Sequence, residues 1–366
     1  MGMGLTMLIA MVGRADPGAQ LRPPAVPLVA HDPYFSIWSA ADRLTDAPTT
    51  HWTGTPHPLN STINIDGEAF RLMGVEPADA SALPQLDLRV LPTRTLYRFG
   101  NEKVEVVLTF LTPALPSDID VLSRPLTYLT WNVRSVDGQP HTVQIDVNMG
   151  HQLAIRDPHE EVVWDRPQVD GLIVSRVGSK KQRVLGRSGD MITIDWGYAY
   201  LAASDDARTQ LTGDGAVRFD LGSVGAETAA CRVMLAYDDL ESILYFDQPL
   251  LPYWRRNGWE AADLLTAAAR EYNDLAKRCA EFDVALMEDL TQAGGAKYAA
   301  LCALAYRQTL AGNKVAADAN GKPMLFPKEN NSNGCISTVD VMFPQAPFFL
   351  LFSPALTKAM LVPILD

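Results

Sequence analysis

The sequence has few cysteines, no long apolar run and no excess of positive charge. Its four cysteines form no CxxC pair, so neither a zinc site nor a disulfide framework is indicated, and we expect four buried free thiols. The 43 Asp and Glu residues outnumber the 31 Lys and Arg, giving a net charge of -12 that disfavours nucleic acid as a partner. The apolar run at residues 5–12 (LTMLIAMV) is too short to span a bilayer.

Several motifs that define common enzyme classes are also missing. The sequence contains no HExxH, no GxxxxGK[ST], no GxGxxG after a strand, no GxSxG elbow, no SxxK pair and no EF-hand loop. We therefore expect no cofactor and assign no metal ligand. Carboxylates remain as the candidates for acid and base chemistry.

The length of 366 residues fits two domains. From residue 23 to about residue 250, apolar residues alternate with polar ones in short runs, and no helical segment separates the runs. Ile63 and Ile65 alternate before Asp66-Gly67, which predicts a hairpin because Asp-Gly tolerates the positive φ of a tight turn. Further strands are predicted at residues 94–99, 104–111, 128–134, 142–149, 171–177, 191–196 and 230–237. This pattern is typical of an antiparallel β-sandwich.

After residue 250, the spacing of the apolar residues changes to the period of a helix. Apolar spacing of three and four predicts a long helix over residues 259–290 that ends at Gly294-Gly295, a second over 297–310, and a third that opens at Ser353-Pro354. The last pattern stops at residue 366 without a C-cap glycine, and the three apolar faces have too few partners. We therefore expect residues 251–366 to be the start of an unfinished, truncated helical domain.

Residues 1–22 are expected to be a leader. The apolar run at residues 5–12 is compatible with a secretory signal, although a basic segment before it is missing and the cleavage site is poor. The alternative is a disordered start. The first interpretation predicts an extracellular or periplasmic protein.

The most distinctive polar segment is residues 325–347 (LFPKENNSNGCISTVDVMFPQAP), which we expect to be a long loop between two helices. Glu329 and Asp340 could act as acid, base or water-orienting group, and Asn330, Asn331 and Asn333 could bind a polar ligand. The alternative is a solvated loop with Asn and Gly in turns.

A second candidate is residues 31–57, which hold three of the six histidines and two of the seven tryptophans. His51 and Trp52 would then line a pocket for a sugar or an amino acid. Alternatively, Phe35, Trp38 and Trp52 anchor a long loop to the core. A third candidate is Asp195 in residues 195–198 (DWGY), with a satisfied turn carboxylate as the alternative.

These segments resemble the glutaminase A family of secreted bacterial and fungal proteins. The matching stretches are residues 23–39, 51–74, 124–138, 192–202, 298–314 and 328–366, in order along the chain, and the last (KENNSNGCISTVDVMFPQAPFFLLFSPALTKAMLVPILD) is the most specific. The resemblance implies hydrolysis of L-glutamine to L-glutamate and ammonia. It also implies a β-sandwich followed by a six-hairpin (α/α)6 barrel like that of many glycosidases, of which residues 251–366 would be the first helices.

Three functions remain open at this point. They are an amidase acting on glutamine, a glycoside hydrolase on the same scaffold, and an inactive fragment or binding module. The partner in the first two is a small molecule, glutamine or a glycan. The catalytic candidates are Glu329 and Asp340, and the substrate-binding candidates are Asn330, Asn333, Trp52 and His51. In related six-hairpin glycosidases the acid and base come from different parts of the barrel, so part of the site would lie beyond residue 366. The oligomeric state is not predicted.

Overall fold

The computed structural model describes residues 22–186, 195–328 and 335–365. Three sequence-based predictions therefore fall outside the described residues. They are the leader predicted over residues 1–22, of which only Arg22 is described, most of the strand predicted over residues 191–196, and the candidate site residues Glu329, Asn330 and Asn333.

Across the described residues, twenty strands form two large sheets and three strand pairs. In chain order they are β1 Val26–Ala30, β2 Ser36–Ser39, β3 Leu59–Ile65, β4 Glu68–Met73, β5 Ser81–Ala82, β6 Gln85–Val90, β7 Arg94–Gly100, β8 Val104–Leu111, β9 Leu126–Ser135, β10 His141–Met149, β11 Val162–Asp165, β12 Leu172–Ser179, β13 Tyr198–Ser204, β14 Thr209–Gly213, β15 Ala216–Val224, β16 Ala229–Asp238, β17 Ile243–Tyr245, β18 Gln248–Leu250, β19 Asn313–Ala317 and β20 Pro323–Pro327. The six-stranded sheet has the order β14-β15-β10-β3-β4-β5 and the eight-stranded sheet β11-β12-β13-β16-β9-β8-β7-β6.

The two sheets pack face to face and confirm the predicted β-sandwich. Side chains alternate between the core and the outside along each strand, as the two-residue period of a strand requires. In β8 the burial pattern alternates from Val104 to Phe110, and in β3 from Leu59 to Ile65. One continuous core of aliphatic and aromatic residues, with the fully buried Trp131, fills the space between the sheets.

The predicted Asp-Gly hairpin is present between β3 and β4. Asp66 and Gly67 adopt φ values of 54° and 91°, and Ile65 pairs with Glu68 across the turn. Two consecutive residues at positive φ match the twist of the adjoining strands, and Asp and Gly tolerate this conformation better than most residues.

Four α-helices complete the described structure: α1 Ile119–Leu122, α2 Ala261–Ala311, α3 Val339–Phe352 and α4 Pro354–Leu365. A capping box at Glu260 and Asp263 starts α2. The helix breaks at Gly295, whose φ of 82° and ψ of 174° are not helical, so the predicted stop at Gly294-Gly295 is confirmed. Pro354 occupies the first position of α4, where its missing N–H is not needed.

The first half of α2 packs against the outer face of the eight-stranded sheet. Leu264, Leu265 and Leu275 are buried there against residues of β9, β13 and β16. The Tyr128 hydroxyl donates to the carbonyl of Ala268 over 2.9 Å. The second half of α2 forms a separate apolar cluster with α3 and α4, centred on Tyr306, Phe349 and Leu356. The first half of α2 therefore shares an apolar core with the sheet, and its second half shares another with α3 and α4.

The expectation of a long loop over residues 325–347 is wrong in part. Residues 325–327 belong to β20, and helix α3 begins at Val339. Pro344 and Pro347 argue against a helix because each leaves a carbonyl one turn earlier without its N–H partner. Those carbonyls belong to Asp340 and Phe343, which are exposed, so water can hydrate them. Buried Met342 and Phe349 then hold the helix in place.

The four cysteines all lie within the described residues, and no disulfide joins them. Cys231 and Cys279 are buried as expected, whereas Cys302 is half-buried and Cys335 exposed, so the expectation of four buried thiols is wrong for two of them. Among the described helices, none is both long enough and apolar enough to cross a membrane.

Candidate functional site

The three segments singled out in the sequence meet around the buried side chain of Tyr34. This residue belongs to the first of them, residues 31–57. The Tyr34 ring packs edge-on against Trp196, with ring centroids 5.7 Å apart. On another side, Lys328 Nζ lies 5.7 Å from the centroid of the Tyr34 ring. Segments that are far apart in the sequence therefore share one contact region.

The turn between β1 and β2 positions an aspartate in this region. The Asp32 Oδ1 atom accepts the backbone N–H groups of Tyr34 and Phe35, each over 2.8 Å. Asp commonly makes such bonds to the backbone two and three residues on, because its short side chain reaches them. The other oxygen, Oδ2, is thereby directed towards β19.

On β19, Lys314 forms a buried charge cluster with two aspartates. Its Nζ lies 2.8 Å from Asp32 Oδ2 and 2.8 Å from Asp239 Oδ2, and the three side chains are at most 4% exposed. Burial alone would lower the pKa of Lys314, but Asp239 and Asp32 raise it above its ordinary value. Burial would likewise raise the pKa of Asp32, but Lys314 and His31 bring it down to about 2. Lys314 and Asp32 are therefore both charged at neutral pH.

His31 borders the cluster without joining it as a cation. Its Nε2 lies 3.7 Å from Asp32 Oδ2, yet burial lowers the pKa of His31 to about 4, so the ring is neutral at pH 7. A cavity of about 20 Å³ opens beside His31, Asp32, Asn313 and Lys314. The rest of its lining is mostly apolar, and a cavity of this size has room for about one water molecule.

His51 and Trp52 flank the same turn. His51 is fully buried; its Nε2 donates to the carbonyl of Pro33 over 2.8 Å and its Nδ1 lies 2.8 Å from Thr53 Oγ1. Burial lowers its pKa to about 4. With both nitrogens occupied, His51 holds the turn of Pro33 and Tyr34 in place. Trp52 is 43% exposed and its ring centroid lies 5.8 Å from that of His51.

Lys328 directly precedes the candidate acid Glu329. It is buried, and burial lowers its pKa below the ordinary value. Its backbone N–H donates to the carbonyl of Gly312 over 3.0 Å, and it forms an isolated antiparallel bridge with Ile336. The described residues on either side of residues 329–334 are therefore adjacent to each other and close to Tyr34. Glu329, Asn330 and Asn333 themselves lie outside the described residues.

Asp340 lies in the first turn of α3 and is exposed. The helix is tied to the charge cluster through Gln345, whose Oε1 accepts from Asn313 Nδ2 over 2.6 Å. Asn313 immediately precedes Lys314. A hydrogen bond thus connects the helix that carries Asp340 to the strand that carries Lys314, although the described contacts do not join Asp340 itself to the cluster.

The third segment supports the cluster through the backbone of Asp239. Trp196 Nε1 donates to the Asp239 carbonyl over 2.7 Å. Asp195, the first residue of this segment, is buried. Sequence reasoning missed Lys314, Asp239 and Lys328. The available signal was a lysine inside or next to a short apolar strand, which places a charge where burial is expected.

The arrangement defines a class of protein: a β-sandwich joined to helices, with buried charges and histidines where the two meet. Three family models match the chain. They are DUF4964, a domain of unknown function, over residues 9–83; DUF5127, also of unknown function, over 93–218 and 213–289; and the glutaminase A six helical-hairpin domain over 295–366. DUF5127 alone covers more than half of the chain, so together with the six-hairpin match the chain belongs to the glutaminase A family.

Two curated relatives match nearly all of the chain. Glutaminase A of Aspergillus oryzae is 26% identical over 411 aligned positions, which cover 100% of this chain and 59% of the relative. "Probable glutaminase/05536" of Arthroderma benhamiae is 22% identical, over 95% of this chain and 47% of the relative. The chain thus spans about half the length of these relatives. Among solved structures, "Putative kojibiose phosphorylase from human microbiome" is similar over 75% of this chain and 34% of its own, with 9% identity and a TM-score of 0.41.

Proposed function

We propose that the protein is a hydrolase of the glutaminase type, which converts L-glutamine and water to L-glutamate and ammonia. The observation that carries the proposal is the convergence of residues 31–57 with the residues that flank Glu329, around Tyr34 and Lys328. Membership of the glutaminase A family supports the amide substrate. Since the chain spans 59% and 47% of the two relatives, the activity of the whole protein is part of the proposal.

In the proposed reaction, Glu329 accepts a proton from a water molecule as the water oxygen attacks the amide carbon of the substrate. The tetrahedral intermediate collapses when its C–N bond breaks and the leaving nitrogen takes the proton from Glu329, which returns to its starting form, while Asp340 orients the attacking water. The products are ammonia and the carboxylic acid, which loses its proton to solvent and becomes the carboxylate. Asn330 and Asn333 bind the polar groups of the substrate, and Trp52 covers its aliphatic part, while His51 fixes the turn beneath.

The decisive assay measures ammonia released from L-glutamine, with D-glutamine as a second substrate. It is run on the 366-residue chain and on the product of the complete gene. Glu329→Gln and Asp340→Asn are expected to lower the rate by about 100-fold or more, the lower end of what general acid–base catalysis contributes. Glu288→Gln, an exposed carboxylate on α2, is the matched control and should leave the rate unchanged.

Two outcomes would overturn the proposal of an amidase. Reducing sugar released from a panel of glycans, with no ammonia from glutamine, would assign a glycoside hydrolase instead. The absence of both products from both chains would leave only a binding module. Ammonia release that survives both substitutions would keep the substrate and reject Glu329 and Asp340.

We also propose that the protein is exported, on the strength of the apolar run at residues 5–12. N-terminal sequencing of protein recovered from the medium or periplasm should begin near residue 22. Recovery of the intact Met1 terminus from the cytoplasmic fraction alone would contradict export.

A further inference from the structure

A large groove lies on the outer face of the eight-stranded sheet, beside the first half of α2. Its volume is about 820 Å³, within the range of ~300–1,000 Å³ found for small-molecule sites. Strands β6 to β9 and β16 form the floor, and Tyr272, Asn273 and Lys277 of α2 form one wall. We call it the sheet groove.

One row of cross-strand neighbours runs across the floor. Arg232 pairs with Thr130, Thr130 with Thr109, Thr109 with Leu96, and Leu96 with Arg89. Adjacent strands lie about 4.8 Å apart, so four spacings place the two arginines roughly 19 Å from each other along the sheet. The row therefore has a cation at each end and two hydroxyl groups between them.

These two arginines are the cations of the groove that lack a fixed carboxylate partner. Arg94 lies 2.7 Å from Asp283 and Arg98 3.1 Å from Glu105. Arg208 and Lys277 lie 3.9 Å from Asp206 and Glu281, respectively. Within the described residues, neither Arg89 nor Arg232 forms an ion pair, although Asp87 acts electrostatically on Arg89. The Arg232 guanidinium lies 3.6 Å above the Tyr272 ring, and the Tyr272 hydroxyl lies 3.1 Å from Thr130 Oγ1. Stacking holds Arg232 flat without neutralising it.

The charge of the groove runs against that of the whole chain. Six of its lining residues are cationic, namely Arg89, Arg94, Arg98, Arg208, Arg232 and Lys277, whereas two are carboxylates, Asp87 and Asp206. The chain as a whole carries a net charge of -12. Four of the six cations are paired with carboxylates, so the positive charge that remains is that of Arg89 and Arg232. On an acidic protein, this charge favours binding of an anionic ligand in the groove rather than elsewhere on the surface.

Polar, uncharged side chains lie among apolar ones, such as Leu96 and Val107, on the rest of the floor. Thr109, Thr130 and Asn132 project from neighbouring strands, and Asn273 faces them from α2. Hydroxyl and amide groups both donate and accept hydrogen bonds. The backbone groups beneath are used in the sheet, so a ligand meets side chains only. Such a surface suits a molecule with many hydroxyls along its length.

We propose that the sheet groove binds an anionic oligosaccharide, with acid groups of the ligand on Arg232 and Arg89 and its hydroxyls on Thr109, Thr130 and Asn132. An acidic peptide is disfavoured by geometry. Extended peptides bind sheets by adding to an exposed edge strand, but the groove crosses five strands, of which β6 alone is an edge. The span of the row favours an oligosaccharide over a single sugar.

Calorimetric titration of the 366-residue protein with four probes tests this. The probes are hexagalacturonate, a sulfated chondroitin hexasaccharide, neutral maltohexaose and hexaglutamate. We expect at least one acidic sugar to bind at least about tenfold more tightly than maltohexaose and hexaglutamate. A preference for hexagalacturonate or for the sulfated sugar identifies carboxylate or sulfate as the acid group.

Arginine variants locate the site. Arg232→Gln and Arg89→Gln should each weaken binding of the preferred acidic sugar by about tenfold or more. Arg218→Gln is the control, because Arg218 lies on β15 in the other sheet, is paired with Asp146 and does not line the groove. The melting temperature of each variant shows whether it is folded. If Arg232→Gln unfolds because its stacking on Tyr272 is lost, Arg89→Gln alone tests the site. The proposal is overturned if neither acidic sugar binds, if hexaglutamate binds more tightly than both, or if the arginine variants bind as the unsubstituted protein does.

Discussion

Lys314 Nζ and Asp32 Oδ2 lie 2.8 Å apart, although 282 positions separate the two residues in the sequence. With Asp239 at the same distance from the ammonium, this contact joins the β1–β2 turn, the end of β16 and the β19–β20 hairpin. A buried ion pair is costly to form but more costly to break from one side, because the remaining charge stays desolvated. The cluster therefore fixes the relative positions of these elements, on which the candidate site depends.

Replacing Lys314 with Met should lower the free energy of unfolding by about 3–5 kcal/mol, since it leaves two buried carboxylates without a cation. Urea unfolding at pH 7 measures the loss. Lys322→Met, at an exposed position of the same hairpin, should change stability by less than about 0.5 kcal/mol.

A second substitution distinguishes charge from packing at Lys314. Adding Asp32→Asn to Lys314→Met removes one uncompensated charge and should recover part of the stability. If the double variant is no more stable than Lys314→Met, the loss comes from packing and the electrostatic explanation is wrong.

The buried histidines predict a loss of stability in acid. Burial lowers the pKa of His31 and His51 to about 4 and that of His57 well below its ordinary value of 6.5. In the unfolded chain these rings bind protons below about pH 6.5, whereas in the folded protein they stay neutral to a lower pH. Their contribution to the free energy of unfolding is therefore fully present above about pH 6.5 and decreases as the pH falls towards about 4. For His51 the shift corresponds to a loss on the order of 3 kcal/mol by pH 4.

Urea unfolding at intervals from pH 7 to pH 4 measures this slope. His51→Gln should show a shallower slope than the unsubstituted protein, even if it is less stable at pH 7. His159→Gln, at an exposed position, should reproduce the original slope. An unchanged slope in His51→Gln would show that this ring does not contribute.

Local periodicity predicted most of the fold, whereas the contacts of the candidate site are nonlocal. The strand alternation, the Asp66-Gly67 turn and the stop at Gly295 are each determined within a few residues, and all are confirmed. Helix α3 was missed because Pro344 and Pro347 are poor helix residues, and its stability comes from tertiary burial of Met342 and Phe349. Lys314 was missed because its partners lie far away in the sequence.

A buried carboxylate on α2 fixes the helix to the sandwich. Asp283 Oδ1 accepts the Thr93 backbone N–H over 2.8 Å, and Asp283 Oδ2 accepts from Arg94 Nε over 2.7 Å. Asp283 also acts electrostatically on the fully buried Arg307. Asp283→Ala should therefore cost about 3–5 kcal/mol of unfolding free energy. The control is Asp289→Ala, at an exposed position of the same helix, which should cost less than about 0.5 kcal/mol. Equal losses in the two variants would show that Asp283 does not fix the helix to the sandwich.

Gly197 supports the cluster through a close backbone approach, and a matched glycine isolates this effect. Both Gly197 and Gly54 have positive φ, 79° and 89°, so alanine at either position costs about 1 kcal/mol in backbone strain. A Cβ at Gly54 would meet nothing within 4 Å, whereas one at Gly197 would lie 2.2 Å from the Asp238 carbonyl oxygen and 3.0 Å from Asp239 Cα. Gly197→Ala must therefore force a shift of the backbone at residues 197 or 238–239, next to the Asp239 carboxylate that contacts Lys314. We expect urea unfolding to show a loss at least about 2 kcal/mol larger for Gly197→Ala than for Gly54→Ala, and equal losses would show that the backbone at Asp239 shifts without cost.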